Sequence, residues 1–552
     1  MTERAMPPSE QYEGRLELTW TNKDKRLLAY EDGTYVWVPP SDYRVAEVRL
    51  LDDAGTVGVI SAKRSRSKDN LLIRGDALNA LTSLAKLPEL ATEFVGNVKL
   101  AYLDPPFNTQ QSFLHYDDAL EHSVWLTMMR DRLVQIEKLL APAGSVWVHC
   151  DDSEHAHVKV LLDEIYGREN FVGTVVWQRQ ASQSNMAVFS AVHDYIVIYA
   201  KERNAFAETR HRLPRTEKQD SLYSNPDGDR RGDWTSQPVQ ARNFYSKGTY
   251  PITTPSRRII EGPPAGRYWS ISEEKLAELD ADGRIWWGPE GDGVPRIKTF
   301  RTEVQDLVPK SWWPYSEVGT TDEAKRESKA LATTGAPFST PKPERLLQRI
   351  VHIASDEGDV VLDCFLGSGT TAAVAHKMGR RWIGVERSKD TLDSFALPRM
   401  NKVVGGSDPG GITEAVGWLG GGGFRILDVS PSMFEADEGS VVIAEWASNG
   451  KLAEATAAQL GFEFEADPPF VGRRGRSRLA VVDGLVNGDV ARVLLDALPD
   501  GELLNVAGTA VDSEVKATLR ELRRGSTVRK IPASILADYR SARWQPSING
   551  SD

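Results

Sequence analysis

The strongest constraint on this chain's fold is a rhythm of short apolar strands and helices that starts at Asn70, breaks off near Lys201 and resumes at Pro343. Leu71-Leu72-Ile73 reads as a buried strand ending in the turn Arg74-Gly75-Asp76, and Leu78, Leu81, Leu84 and Leu87 follow at helical spacing. Further strands are predicted over 98–103, 145–149, 171–177 and 195–199, with helices around 123–140 and 154–166. After the break come a helix over 343–354, strands over 360–364 and 382–385, and a helix through His376 between them. Strands alternating with helices predict an α/β fold, a mostly parallel sheet with helices on both faces. A sheet that stops and resumes implies an inserted domain.

The expected organisation is an N-terminal arm over 1–69, one half of the sheet domain over 70–200, an insert over 201–340, the second half over 341–429 and a C-terminal accessory domain over 430–552. The insert is rich in Gly, Pro, Arg and aromatic residues and holds Trp234, Trp269, Trp286, Trp287, Trp312 and Trp313. The net charge of -11 excludes nucleic-acid binding through a uniformly positive surface. Any such site must be local, and residues 201–260 carry 12 basic against 7 acidic residues. There Arg242, Phe244, Tyr245, Lys247, Tyr250, Arg257 and Arg258 interleave cations with rings, as a groove for phosphates and bases requires. Cys150 and Cys364 are the only cysteines, which excludes a disulfide framework and a cysteine-rich zinc module and suits a reducing compartment. No apolar run reads as a signal peptide or membrane span, so a soluble, cytoplasmic chain with no membrane partner is expected.

Two segments carry chemistry. Asp104-Pro105-Pro106-Phe107 follows the strand over 98–103, and its prolines stop both helix and sheet. Asp363-Cys364-Phe365-Leu366-Gly367-Ser368-Gly369-Thr370-Thr371 follows the strand over 360–364. In open α/β sheets ligands sit beyond the carboxyl ends of strands, where glycine turns admit close approach. The glycine segment lacks the Lys of a phosphate-binding loop and the third glycine of a dinucleotide fingerprint, which suits a nucleoside without phosphates. Glu386, ending the next strand, is placed to accept hydrogen bonds from ribose hydroxyls. An exocyclic amine on a base is a poor nucleophile, because its lone pair is delocalised into the ring. The Asp104 carboxylate and the Pro105 carbonyl can accept its two hydrogens, Pro106 helps to hold the geometry, and Phe107 offers a stacking face. His149-Cys150-Asp151-Asp152, with His155 and His157, fits no standard zinc spacing, and no metal is expected.

These segments resemble the catalytic and cofactor motifs of the amino-methylating DNA methyltransferases that use S-adenosyl-L-methionine. The catalytic segment comes first and a variable domain lies between, which is the order of the β group, including type III modification subunits. The resemblance runs from about Leu71 to Phe424 and includes Gly75-Asp76, Gly144-Ser145-Val146-Trp147-Val148-His149, His193-Asp194-Tyr195 and Thr340-Pro341-Lys342-Pro343-Glu344-Arg345-Leu346. It implies a Rossmann-like, mixed, mostly parallel seven-stranded sheet and transfer of a methyl group to a flipped base. Asp at position 104 implies adenine N6, with cytosine N4, or a specificity subunit of little turnover, as the alternatives. It also implies a cofactor site of Asp76 near the adenine, Lys342 near the methionine end, and Asp363, Phe365, Gly367, Ser368, Gly369, Thr370 and Glu386. Recognition is expected from Arg242, Tyr245, Lys247, Arg257 and Arg258. The partners implied are double-stranded DNA, a second copy of the chain and a nuclease-helicase restriction subunit.

Overall fold

The computed structural model describes residues 17–29, 35–61, 65–107, 112–113, 116–117, 121–183, 188–331, 338–437, 440–448 and 451–541. Two compact units are resolved, one built from residues 1–211 and 310–552, the other from 212–309.

The first unit is organised by a sheet that has ten strands among the described residues. They are β1 (Leu51–Gly58), β2 (Asn70–Arg74), β3 (Val98–Leu103), β4 (Leu140–Cys150), β5 (Phe171–Gln178), β6 (His193–Ala200), β7 (Trp312–Trp313), β8 (Val360–Asp363), β9 (Arg381–Glu386) and β10 (Gly423–Val429). Across the sheet the order is β7-β5-β6-β4-β3-β8-β9-β2-β10-β1. Strands β4, β3, β8, β9, β2 and β10 run parallel, whereas β6 is antiparallel to both its neighbours and β1 is antiparallel to β10. The parallel strands are apolar without alternation because helices cover both faces: Leu71, Leu72, Ile73, Leu100, Ala101 and Leu362 are fully buried.

The seven strands expected from the sequence are the seven contiguous central ones, and the fold is the Rossmann-like α/β sheet. The count of seven is corrected to ten by additions at both edges. Strand β1 lies inside the segment expected to be a separate arm. Its sequence, Leu-Asp-Asp-Ala-Gly-Thr-Val-Gly, has no apolar run, since an edge strand needs one partner and one covered face. At the opposite edge, Trp312 and Trp313, expected inside the insert, pair in parallel with Val176 and Trp177 of β5.

The helices that matter for the site are α1 (Ala77–Lys86), α2 (His122–Leu139), α3 (His155–Tyr166), α4 (Thr321–Leu331), α5 (Glu344–Ala354), α6 (Thr370–Lys377) and α7 (Leu397–Val404). A π-helical turn, Leu392–Ala396, leads into α7 just before Pro398. Proline has no N–H for the helical ladder, and the wider turn accommodates the gap. Among the described residues no helix is long and apolar enough to cross a membrane.

The chain's last part carries its own sheet, five strands from Glu463–Asp467 to Thr527–Lys530. It does not separate from the first unit. Leu479, Ala507, Ile531 and Ile535 share one apolar core with Leu71, Leu81 and Val148, and Gln459 exchanges two hydrogen bonds with the Val48 backbone.

The second unit is smaller than the insert expected over 201–340. Its three-stranded antiparallel sheet has Arg296–Phe300 between Trp234–Pro238 and Ile285–Trp286, and a core of Ile252, Trp269, Leu276, Ile285 and Trp287. Near its two ends Leu213 and Leu307 exchange backbone hydrogen bonds of 2.8 and 2.9 Å.

Candidate active site

Four neighbouring parallel strands, β3, β8, β9 and β2, end on the same edge of the sheet. At or just beyond their carboxyl ends they carry, in lateral order, Asp104, Asp363, Glu386 and Asp76. The register fixes this alignment: Ala101 lies opposite Leu362, Asp363 opposite Gly384, and Glu386 opposite Arg74. From β3 the chain passes through α2 to β4 on one side, whereas from β8 it passes through α6 to β9 on the other. Strand order therefore reverses between β3 and β8, which is where an open α/β sheet leaves a crevice for a ligand.

The Asp104 carboxylate accepts two hydrogen bonds from Lys342 Nζ, at 2.6 and 2.7 Å. Lys342 is buried and immediately precedes Pro343, which caps α5. Its ammonium also lies 4.9 Å from the centre of the Phe107 ring. The Trp125 indole of α2 donates to the Pro106 carbonyl at 2.6 Å, tying the proline pair to the helix that follows it.

Phe107 stacks on His149 with ring centres 5.5 Å apart and planes 25° from parallel. His149, on β4, is wholly buried and lies 2.8 Å from the Tyr102 hydroxyl through Nδ1 and 3.2 Å from Asp194 through Nε2. Burial, reinforced by the positive charge of Lys342, lowers the His149 pKa and favours the neutral ring. A neutral imidazole has one N–H, and a carboxylate can only accept. Nε2 therefore donates to Asp194, and Nδ1 accepts from Tyr102. Burial pushes the Asp194 carboxyl up, but the His149 hydrogen bond, then Arg179 and Lys342, outweigh it and hold the pKa below the usual value. Arg179 Nε lies 2.9 Å from Asp194.

In the glycine segment the backbone turns sharply. Gly369 has φ of +79°, and a Cβ there would meet Ala396 Cα at 3.1 Å; Gly367 has φ of +52°, and a Cβ there would meet the Phe338 ring at 3.3 Å. Both positions demand glycine, for conformation and for space. The Asp363 carboxylate accepts from Phe365 N at 2.9 Å. Glu386 accepts from Gly367 N at 2.9 Å and Ser388 N at 2.8 Å, so it braces the loop. Burial pushes the pKa values of Asp363 and Glu386 up to about 7 each. The Ser368 and Thr370 hydroxyls are buried 3.0 Å apart, and the buried Arg399 of α7 donates to Thr370.

Asp76 caps α1 by accepting from Leu78 N at 2.8 Å, and its other oxygen accepts from Arg132 Nη2 at 2.9 Å. The Arg132 guanidinium lies 5.7 Å from the Phe365 ring centre, which links Asp76 to the glycine segment.

Sequence reasoning placed Lys342 with a cofactor and Asp104 with a base, yet the two are directly paired. It gave no role to Trp125, Arg132 or Arg179. Trp125 and Arg132, seven residues apart on one face of α2, read as packing, and only the fold reveals what their polar atoms reach. Of the residues expected to contact DNA, Arg242, Lys247, Arg257 and Arg258 are exposed and Tyr245 is partly buried, all in the second unit. Arg258 donates to the Asp292 carbonyl at 3.1 Å, and Phe244, edge-on to Tyr268, is 76% exposed.

A "Probable type III restriction-modification enzyme HindVI Mod subunit" of Haemophilus influenzae is 30% identical over 417 residues, 66% of this chain and 54% of that protein. The type III restriction-modification enzyme StyLTI Mod subunit of Salmonella typhimurium is 30% identical over 56% of this chain and 50% of its own length. The type II methyltransferase M.EcaI of Enterobacter cloacae is 31% identical over 54% of this chain and 65% of its own length. The chain thus spans about half the length of the two Mod subunits. Among solved structures, PvuII DNA methyltransferase (cytosine-N4-specific) aligns over 63% of this chain and 90% of its own at 13% identity and a TM-score of 0.33. The model of the DNA methylase family, N6_N4_Mtase, matches residues 98–396, a span that holds Asp104, Lys342, the glycine segment and Glu386. Since that span is more than half of its length, this chain belongs to the DNA methylase family.

Proposed function

We propose that this protein methylates the N6 amino group of adenine in double-stranded DNA, using S-adenosyl-L-methionine, within a restriction-modification system. The observation that carries the reading is the lateral order Asp104, Asp363, Glu386, Asp76 at one sheet edge, with the glycine turn beside the Asp-Pro-Pro-Phe segment. The residues present fit the cofactor. The turn is bare of side chains at Gly367 and Gly369, carboxylates suit ribose hydroxyls, and the segment holds no lysine for a phosphate.

When bound, the cofactor supplies a methyl group activated by its sulfonium. Asp104 and the Pro105 carbonyl accept the two amino hydrogens of the extruded base, which localises the nitrogen lone pair for in-line attack. Lys342 holds the Asp104 carboxylate in one orientation, and His149 backs Phe107 so that its ring is fixed for stacking. The exposed cations of the second unit, Arg242, Lys247, Arg257 and Arg258, and the partly exposed Tyr245 contact DNA. The names of the two Mod relatives, each a subunit of a restriction-modification enzyme, support a restriction subunit as partner, and the family resemblance supports a homodimer.

Methylome sequencing of a host expressing the chain tests this directly. N6-methyladenine at one sequence motif, lost with Asp104→Ala, is the expected result. N4-methylcytosine at a motif would replace the target base, and an unmodified genome beside intact DNA binding would leave only a specificity subunit.

A further inference from the structure

Away from the crevice, His122, Glu154 and His157 converge from two helices. His122 opens α2, Glu154 immediately precedes α3, and His157 lies in the first turn of α3. The Glu154 side chain is fully buried, while the His122 and His157 side chains are 55% and 43% exposed. The Nδ1 atom of His122 lies 2.6 Å from one Glu154 oxygen, and that of His157 lies 3.0 Å from the other. The two rings are 5.5 Å apart, edge to face. One donor atom from each residue lies within 4.8 Å of the other two.

We propose that His122, Glu154 and His157 bind a divalent transition-metal cation of the zinc type. Two imidazoles and one carboxylate are the donor set that such borderline ions prefer, and Mg²⁺, which prefers an all-oxygen octahedron, is a poor match. In a tetrahedral site with bonds of about 2.0–2.1 Å, neighbouring donors lie roughly 3.3 Å apart. The observed spacings differ from this by small side-chain movements, and the exposed flank leaves a coordination position for water. The buried carboxylate contributes the negative charge, and a cation replaces the hydrogens now shared with the two rings. Sequence spacing could not indicate this trio, because His122 and Glu154 are 32 residues apart.

The position gives the ion a consequence. His122 is three residues before Trp125, whose indole holds the Pro106 carbonyl. A cation clipping the start of α2 to α3 would stiffen the helix turn that anchors the Asp-Pro-Pro-Phe segment. The binding claim is independent of the methylation reading.

Calorimetric titration of ZnCl₂ into the full, chelator-treated chain tests it, with CoCl₂ absorption as a geometric probe. One Zn²⁺ per chain with at least micromolar affinity is expected, along with visible Co²⁺ bands of a four- or five-coordinate site. His122→Ala and His157→Ala should each weaken binding by about tenfold or more. His211→Ala, which alters an exposed imidazole paired with Asp356, should leave it unchanged. Circular dichroism of the metal-free variants checks that they fold. Absence of Zn²⁺ uptake, uptake equal in wild type and both variants, or a preference for Mg²⁺ would overturn the proposal.

Discussion

Lys342 Nζ sits between the two carboxylate oxygens of Asp104, at 2.7 and 2.6 Å, although 238 residues separate them in the chain. If the ammonium fixes the carboxylate that receives the target amine, Lys342→Met should lower kcat about 10- to 100-fold, with the S-adenosyl-L-methionine Kd held within about threefold. A raised cofactor Kd at unchanged kcat would instead assign Lys342 to the cofactor. Asp104→Ala should remove transfer by a factor of about 10³ or more while leaving cofactor binding intact. Single-turnover kinetics with equilibrium binding separates these outcomes.

Glu386, with a pKa raised to about 7 by burial, is largely protonated at pH 6. Ribose hydroxyls donate to the ionised carboxylate, so cofactor binding below pH 7 must expel a proton. Affinity should therefore rise with pH through 7, by about tenfold between pH 6 and pH 8, and the profile should flatten in Glu386→Gln. Calorimetry in buffers of different ionisation enthalpy would report the proton release.

Lys377 of α6 is fully buried between Glu344 Oε2 at 2.7 Å and Asp408 Oδ2 at 2.6 Å. Removing one cation from this triad strands two carboxylates in the interior. Lys377→Met should destabilise the first unit by about 3–5 kcal/mol, measured by urea unfolding, whereas exposed Lys389→Met should change it by less than about 0.5 kcal/mol.

Arg257 and Arg258 stand exposed on the second unit. If they neutralise phosphates, Arg257→Ala and Arg258→Ala should each weaken DNA binding on all sequences and shallow the slope of log K against log salt by about one. Unchanged slopes would move the interface elsewhere on that unit.

The central strands were legible because each has an apolar run, as a strand covered on both faces requires. Strand β1 was not, because a polar edge strand looks like a loop. The four acids stood out singly as strand-end residues. Their lateral order was hidden, since β8 and β9 insert between β2 and β3 and nothing local in Leu71-Leu72-Ile73 encodes which strand lies beside it. Ion pairs such as Lys342 with Asp104 and Arg132 with Asp76 depend on that order and were hidden with it. Trp312 and Trp313 were assigned to the insert because aromatic density does not tell one unit from its neighbour.

The exchange of hydrogen bonds between Leu213 and Leu307 means that the polypeptide departs and comes back through one doorway. Whatever is threaded between those jambs alters no distance that the parent sheet must bridge. Natural recombination, or an engineer, can therefore swap the intervening cassette for another of different size without changing the span between Leu213 and Leu307.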